Sequence, residues 1–183
     1  CGTVLVSMED DLEEFHRRFD AALRATWAQC RAEGQSFGDW KCRNRNAVSE
    51  RIRFVDLLGL TGEHLGPELR DAIANQVDHT ADARLVIIDP LTRLLPPGLV
   101  LNDNAAAGTI LNELDAIRNE TGCTVIAVHH SNKDSVRSGG ELKVTAATGS
   151  LQLTDLSRWV LLVKSLNAKE SADYGLEEGR HYI

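Results

Sequence analysis

Along the chain, hydrophobic positions change period several times, and each change marks an element. Val4-Leu5-Val6 is a short apolar run that stops at Ser7-Met8-Glu9-Asp10. From Leu12 the spacing becomes helical, with Leu12, Phe15, Phe19, Leu23 and Trp27 three or four residues apart. Acidic Asp10, Asp11, Glu13 and Glu14 open that segment and Arg17, Arg18 and Arg24 follow, the order the helix dipole favours. Gly34 to Asn46 reads as a loop, and Arg51-Ile52-Arg53-Phe54-Val55 as a second strand. Pro67 suits the first turn of a helix carrying Leu69, Ile73 and Val77.

Leu85-Val86-Ile87-Ile88 then ends on Asp89-Pro90. Four consecutive aliphatics predict a central strand covered on both faces. A helix with the stripe Ile110, Leu111, Leu114 and Ile117 follows, with Asn102 or Asp103 as its cap and Gly122 as its stop. Val125-Ile126-Ala127-Val128 predicts another buried strand, ending at His129-His130. Thr148 to Ser157 reads as a short helix, Trp159 to Val163 as a strand, Asn167 to Gly179 as loop, and His181-Tyr182-Ile183 as the start of one more strand. Strands alternating with helices imply an α/β fold, a mostly parallel sheet flanked by helices on both faces.

Composition bounds the rest. With 183 residues, 43% apolar and 26% charged, the chain has enough for one core and too much apolar character for disorder. Its longest unbroken apolar run, Trp159 to Val163, is far too short to span a bilayer. Residue 1 is Cys, with no basic-then-apolar leader, which reads as a piece cut from a longer protein with no targeting segment. The four cysteines show neither close pairing nor metal-ligand spacing, so a reducing, cytoplasmic setting is expected. The net charge of −7 repels phosphate overall, so any nucleic acid must meet a local basic surface.

In parallel α/β sheets ligands bind beyond the carboxyl ends of the strands, which draws attention to Glu9-Asp10, Asp89 and His129-His130. Asp89, behind four aliphatics, has the Walker B arrangement, in which a buried strand presents a carboxylate to magnesium on nucleotide phosphates. The same residue could simply cap the next turn. Glu9 could serve as base or water-positioning group on a neighbouring strand end, or join Asp10 and Asp11 in decorating a helix N-terminus. The His pair lacks a third ligand at metal spacing; a hydrogen bond to phosphate and a structural role both fit it. Within the 183 residues there is no G-x-x-x-x-G-K-[ST], the loop that cradles phosphates.

Taken in order, V-L-V-S-M-E-D-D, L-V-I-I-D-P-L-T-R, G-C-T-V-I-A-V-H-H-S-N-K and T-G-S-L-Q-L-T-D-L-S-R-W resemble the RecA-like ATPase core of the RepA-type hexameric helicases, the AAA_25 group. H-H-S-N-K and the G-S-x-x-L-x-D-x-x-R-W segment are the most specific parts. The resemblance implies one partial RecA-like domain over residues 1–183, with the βα unit that bears the P-loop absent. It implies Glu9 as catalytic glutamate, Asp89 as the Walker B residue holding magnesium through water, and the pair His129 and His130, with His130 foremost, as γ-phosphate sensor.

ATP and Mg2+ are the implied cofactors, single-stranded DNA the implied partner, and a homo-oligomeric ring, a hexamer, the implied assembly. Residues 131–147 would form the channel-facing loop, with Lys133, Arg137 and Lys143 against Asp134 and Glu141. Family members commonly carry an arginine finger before the last Gly-Ser, where this chain has Thr148; Arg158 remains at the S-R-W end, at the start of the expected strand, where a structural role fits at least as well. Loss of such a finger costs about 10³-fold or more in turnover. The implied activity is ATP hydrolysis coupled to movement on single-stranded DNA, and the alternative is a non-hydrolysing RecA-like regulatory or remnant module that binds DNA or protein.

Overall fold

The structure is a computed structural model describing residues 1–30, 34–58, 65–95, 98, 104–129, 153, 155, 157–161, 163, 168–173 and 175. Its elements run β1 (Gly2–Ser7), α1 (Leu12–Cys30), α2 (Phe37–Ser49), β2 (Ile52–Asp56), α3 (Pro67–Asp78), β3 (Ala83–Asp89), a 3-10 turn (Leu91–Leu94), α4 (Asn104–Thr121), β4 (Thr124–Ala127) and α5 (Ala168–Asp173). The four strands form one sheet in the order β2-β1-β3-β4, and every pair is parallel.

Alternation along the strands sorts the side chains onto two faces. Val4 and Val6 of β1 and Val86 and Ile88 of β3 are all fully buried. They share a core with Leu69, Ile73 and Val77 of α3 and Ile110 and Ile117 of α4, so these helices cover that face. The opposite face carries the row Phe54, Leu5, Ile87 and Ile126. Here α1 lies over the β2 edge, where Phe15 stacks on Phe54 with ring centroids 4.4 Å apart. Towards β4 this second face opens, and Ile126 is 39% exposed.

The starts and stops have local causes. Asp11 caps α1, its Oδ1 accepting the Glu14 N–H at 2.7 Å. Pro67 sits at the start of α3, and Gly122 follows α4 at φ +67, a backbone state that glycine adopts without strain. Gly2 is tight for another reason: a Cβ there would collide with the carbonyl of Ala81, while the Gly2 N–H donates to Asp82 O at 2.6 Å.

Three sequence expectations are corrected. Gly34 to Asn46 is not loop throughout, because Phe37–Ser49 is α2. Ser36 caps it by accepting the Asp39 N–H at 3.1 Å, and Phe37, Trp40, Asn44 and Val48 turn their half-buried sides one way. The tail likewise contains a helical turn, α5. Trp159 to Val163 is no strand at its described positions: Trp159, Leu161 and Val163 are 63–79% exposed and pair with no described strand. An apolar run becomes a strand only where a neighbour supplies the hydrogen-bond ladder. Leu153 and Asp155 are helical, in line with the expected short helix. The caps Asn102 and Asp103 and the strand from His181 lie outside the described residues.

Candidate functional site

The parallel arrangement points all four carboxyl ends one way. Register places Ser7 of β1 opposite Asp56 of β2 on one side and Asp89 of β3 on the other. Adjacent strands lie about 4.8 Å apart, so the two aspartates flank Ser7 at roughly 10 Å from each other along this row. The backbone continues the ladder beyond the strands. Leu57 N–H donates to Ser7 O at 2.9 Å, Met8 N–H to Asp89 O at 3.2 Å, and Val128 N–H to Ile88 O at 2.8 Å.

Glu9 emerges from β1 through a turn held by Ser7. The Ser7 hydroxyl, 3% exposed as a residue, accepts the N–H of Glu9 at 3.4 Å and that of Asp10 at 3.2 Å. Glu9 therefore lies at the exit of β1, ahead of the first turn of α1. The neighbouring acids have other tasks: Asp11 caps α1, and Asp10 binds Arg18 at 2.7 Å. The carboxylate of Glu9 lies 3.7 Å from the guanidinium of Arg93.

Asp89 is half-buried at the end of β3, and the peptide joining it to Pro90 is cis. The chain then enters the 3-10 turn, whose Leu91 N–H donates to Val128 O at 2.8 Å and ties the exit of β3 to that of β4. His129 is half-buried just beyond β4, one strand over from Asp89. The described part of the site thus gathers Ser7, Glu9, Asp56, Asp89 and His129 along one edge.

Reasoning from sequence singled out Glu9, Asp89 and His129, and all three lie on this edge. It overlooked Asp56, Ser7 and Arg93. The Ser-x-Glu-Asp spacing after an apolar run, and Asp56 at the end of the second strand, were the available signals. Asp56 Oδ1 also accepts the N–H of Leu58 at 2.9 Å, a turn that closes its own strand. His130, Lys133, Arg137, Lys143 and Thr148 lie outside the described residues; Arg158 is described, exposed and in a bend. Among the described residues no group of three or more His, Cys, Asp or Glu side chains could hold a metal ion, and no helix is long and apolar enough to cross a membrane.

A carboxylate such as Asp89, half-buried at a strand end, suits magnesium, which keeps several waters and takes only one or two protein carboxylates. The fold is shared with the solved structure of another protein's ATPase domain, at a TM-score of 0.57 and 20% sequence identity. That likeness covers 84% of this chain and 56% of the other, so this chain spans little more than half the length of the chain it matches. The family model AAA_25, described as an AAA domain, matches residues 1–136. With the parallel sheet, its acid-bearing strand ends and this match together, the chain belongs to the AAA_25 family of AAA domains, built on a RecA-like α/β fold.

Proposed function

We propose that this chain is part of an ATP-dependent helicase or translocase of the RepA type, which couples ATP hydrolysis to movement on single-stranded DNA within a homo-oligomeric, hexameric ring in the cytoplasm. The observation that carries this reading is the single edge on which Glu9, Asp89 and His129 meet in an AAA_25 chain.

Glu9 acts on the water that attacks the terminal phosphate, accepting its proton or fixing its direction. The backbone of Glu9 is pinned by Ser7, so its carboxylate works from a defined base. Asp89 holds magnesium through water; when bound, that ion neutralises charge on the phosphate oxygens. His130, next to His129, reports the presence of the terminal phosphate to residues 131–147, where Lys133, Arg137 and Lys143 meet the DNA backbone. Thr148 and Arg158 are the two positions assigned to contact with a neighbouring subunit.

A second reading is favoured by one feature of the sequence, Thr148 in place of a finger arginine. On that reading the domain is a RecA-like regulatory module that binds DNA or protein without hydrolysis. ATP turnover by the full-length protein, measured with and without single-stranded DNA, separates the two. DNA-stimulated turnover supports the motor. A folded protein that binds DNA and never turns over ATP supports the module.

A further inference from the structure

We infer that Arg93 is a positioning residue for Glu9: it holds the glutamate carboxylate from the exit of the neighbouring strand. The inference rests on Glu9 being the water-activating carboxylate of the proposed ATPase.

Arg93 lies four residues beyond Asp89, in the 3-10 turn Leu91–Leu94. That turn is unusually well anchored for so short a piece. Leu91 and Leu94 are 3% and 1% exposed and belong to the main core. Leu91 N–H reaches Val128 O at 2.8 Å, Leu94 O accepts the N–H of Leu65 at 2.7 Å, and Arg93 N–H donates to Pro90 O at 3.2 Å. The backbone under Arg93 is thus fixed from both sides, while its side chain stays in the open and places Nε 3.7 Å from Oε1 of Glu9.

Stability does not account for this arginine. Its side chain is 64% exposed and that of Glu9 39% exposed, and ion pairs of that kind add little to folding. Local charge gives it a purpose. The same edge carries Glu9, Asp10, Asp56 and Asp89, and the nearby Arg18 is engaged by Asp10 and Glu14. With the Arg93 cation beside Glu9, a polyphosphate meets less concentrated negative charge at this edge. The guanidinium acts through its charge at 3.7 Å, beyond hydrogen-bond range, and a lysine ammonium can supply the same charge.

A double-mutant cycle on the full-length protein tests this, with ATP turnover, nucleotide affinity and thermal midpoint measured for wild type, Arg93→Ala, Arg93→Lys, Glu9→Gln and Glu9→Gln/Arg93→Ala. The expected result is a loss of about tenfold in kcat for Arg93→Ala, below the roughly 10²-fold that a misplaced catalytic group can cost, with the thermal midpoint unchanged. Arg93→Lys should recover most of that loss. In the Glu9→Gln background, removing Arg93 should change the residual turnover by less than about twofold, because coupled residues are not additive. Wild-type kcat in Arg93→Ala would overturn the inference and leave the ATPase reading standing, as would a tenfold loss repeated in the Glu9→Gln background. Absence of turnover in a folded wild-type protein would overturn both.

Discussion

Ser7 and Asp89 are register partners on adjacent strands. The residue that pins the backbone of Glu9 therefore lies beside the residue proposed to hold magnesium. The β1–β3 ladder sets the distance between Ser7 and Asp89, and the turn that Ser7 holds carries Glu9 onward from there. The site has a rigid floor, and the groups on it are separable by mutation.

Ser7→Ala removes the acceptor for two N–H groups at the start of the turn. It should cost about 1 kcal/mol in denaturant unfolding, the net worth of an ordinary hydrogen bond. Turnover should fall by more than stability does, since the turn carries Glu9, and Ser7→Thr should retain both. Equal unfolding curves and equal turnover for Ser7→Ala would show that the hydroxyl does not hold this turn.

Asp89→Asn keeps the shape of the side chain and removes its charge. If Asp89 acts through water on magnesium, apparent Mg2+ affinity in the presence of ATP should fall by about 10–100-fold, the usual effect of losing an outer-sphere partner. The fold should be unaffected, because the residue is only half-buried at a strand end. A magnesium titration of ATP turnover reads this directly. An unchanged midpoint would reduce Asp89 to a cap for the following turn.

The face formed by α3 and α4 should govern stability. Ile73 is fully buried against Val4, Val6, Val86 and Ile88 in the same core, and Ile73→Ala should cost about 2–5 kcal/mol. Leu12→Ala, at a position 48% exposed, should stay within about 0.5 kcal/mol of wild type. Chemical denaturation of both variants checks the contrast, and similar losses would mean that α1 carries more of the core than its packing shows.

Acid should loosen α1 over a definite range. Glu14 receives charged hydrogen bonds from Arg17 and Arg18, at 2.6 Å each, and these hold its carboxyl at about 2 instead of the usual 4.5. A folded value below the unfolded one means that the unfolded chain binds more protons, so the pairing stabilises fully above pH 4.5. That contribution is lost as pH falls from there through about 2. The pair is open to solvent, so salt should shrink the effect. An NMR titration of Glu14 at low and high salt tests it; a midpoint near 4.5 at low salt would refute the pairing.

Much of this was legible in the sequence because burial and periodicity coincide. Val86 and Ile88 of β3 and Leu69, Ile73 and Val77 of α3 face one core, so their spacing declares their elements. The helix α2 was not legible in the same way, since none of its residues is fully buried and its polar composition masks the spacing of Phe37, Trp40, Asn44 and Val48. Ser36 followed three residues later by Asp39 was the signal to use, a cap rather than a stripe. The run Trp159 to Val163 misled for the opposite reason: it has strand composition, yet a strand is a property of two segments. At the site, Glu9 and Asp89 stood out as acids closing apolar runs. Arg93 did not, because only the fold brings the exit of β3 against the exit of β1.

The most direct test of the whole account is ATP turnover by the full-length protein beside its Glu9→Gln variant, each with and without single-stranded DNA. The account predicts DNA-stimulated hydrolysis in the first and a collapse of roughly 10²–10⁴-fold in the second, the contribution of a positioned general base, with nucleotide binding retained. Turnover in Glu9→Gln equal to wild type would contradict it, and would move the chemistry away from the edge that Ser7, Glu9 and Asp89 share.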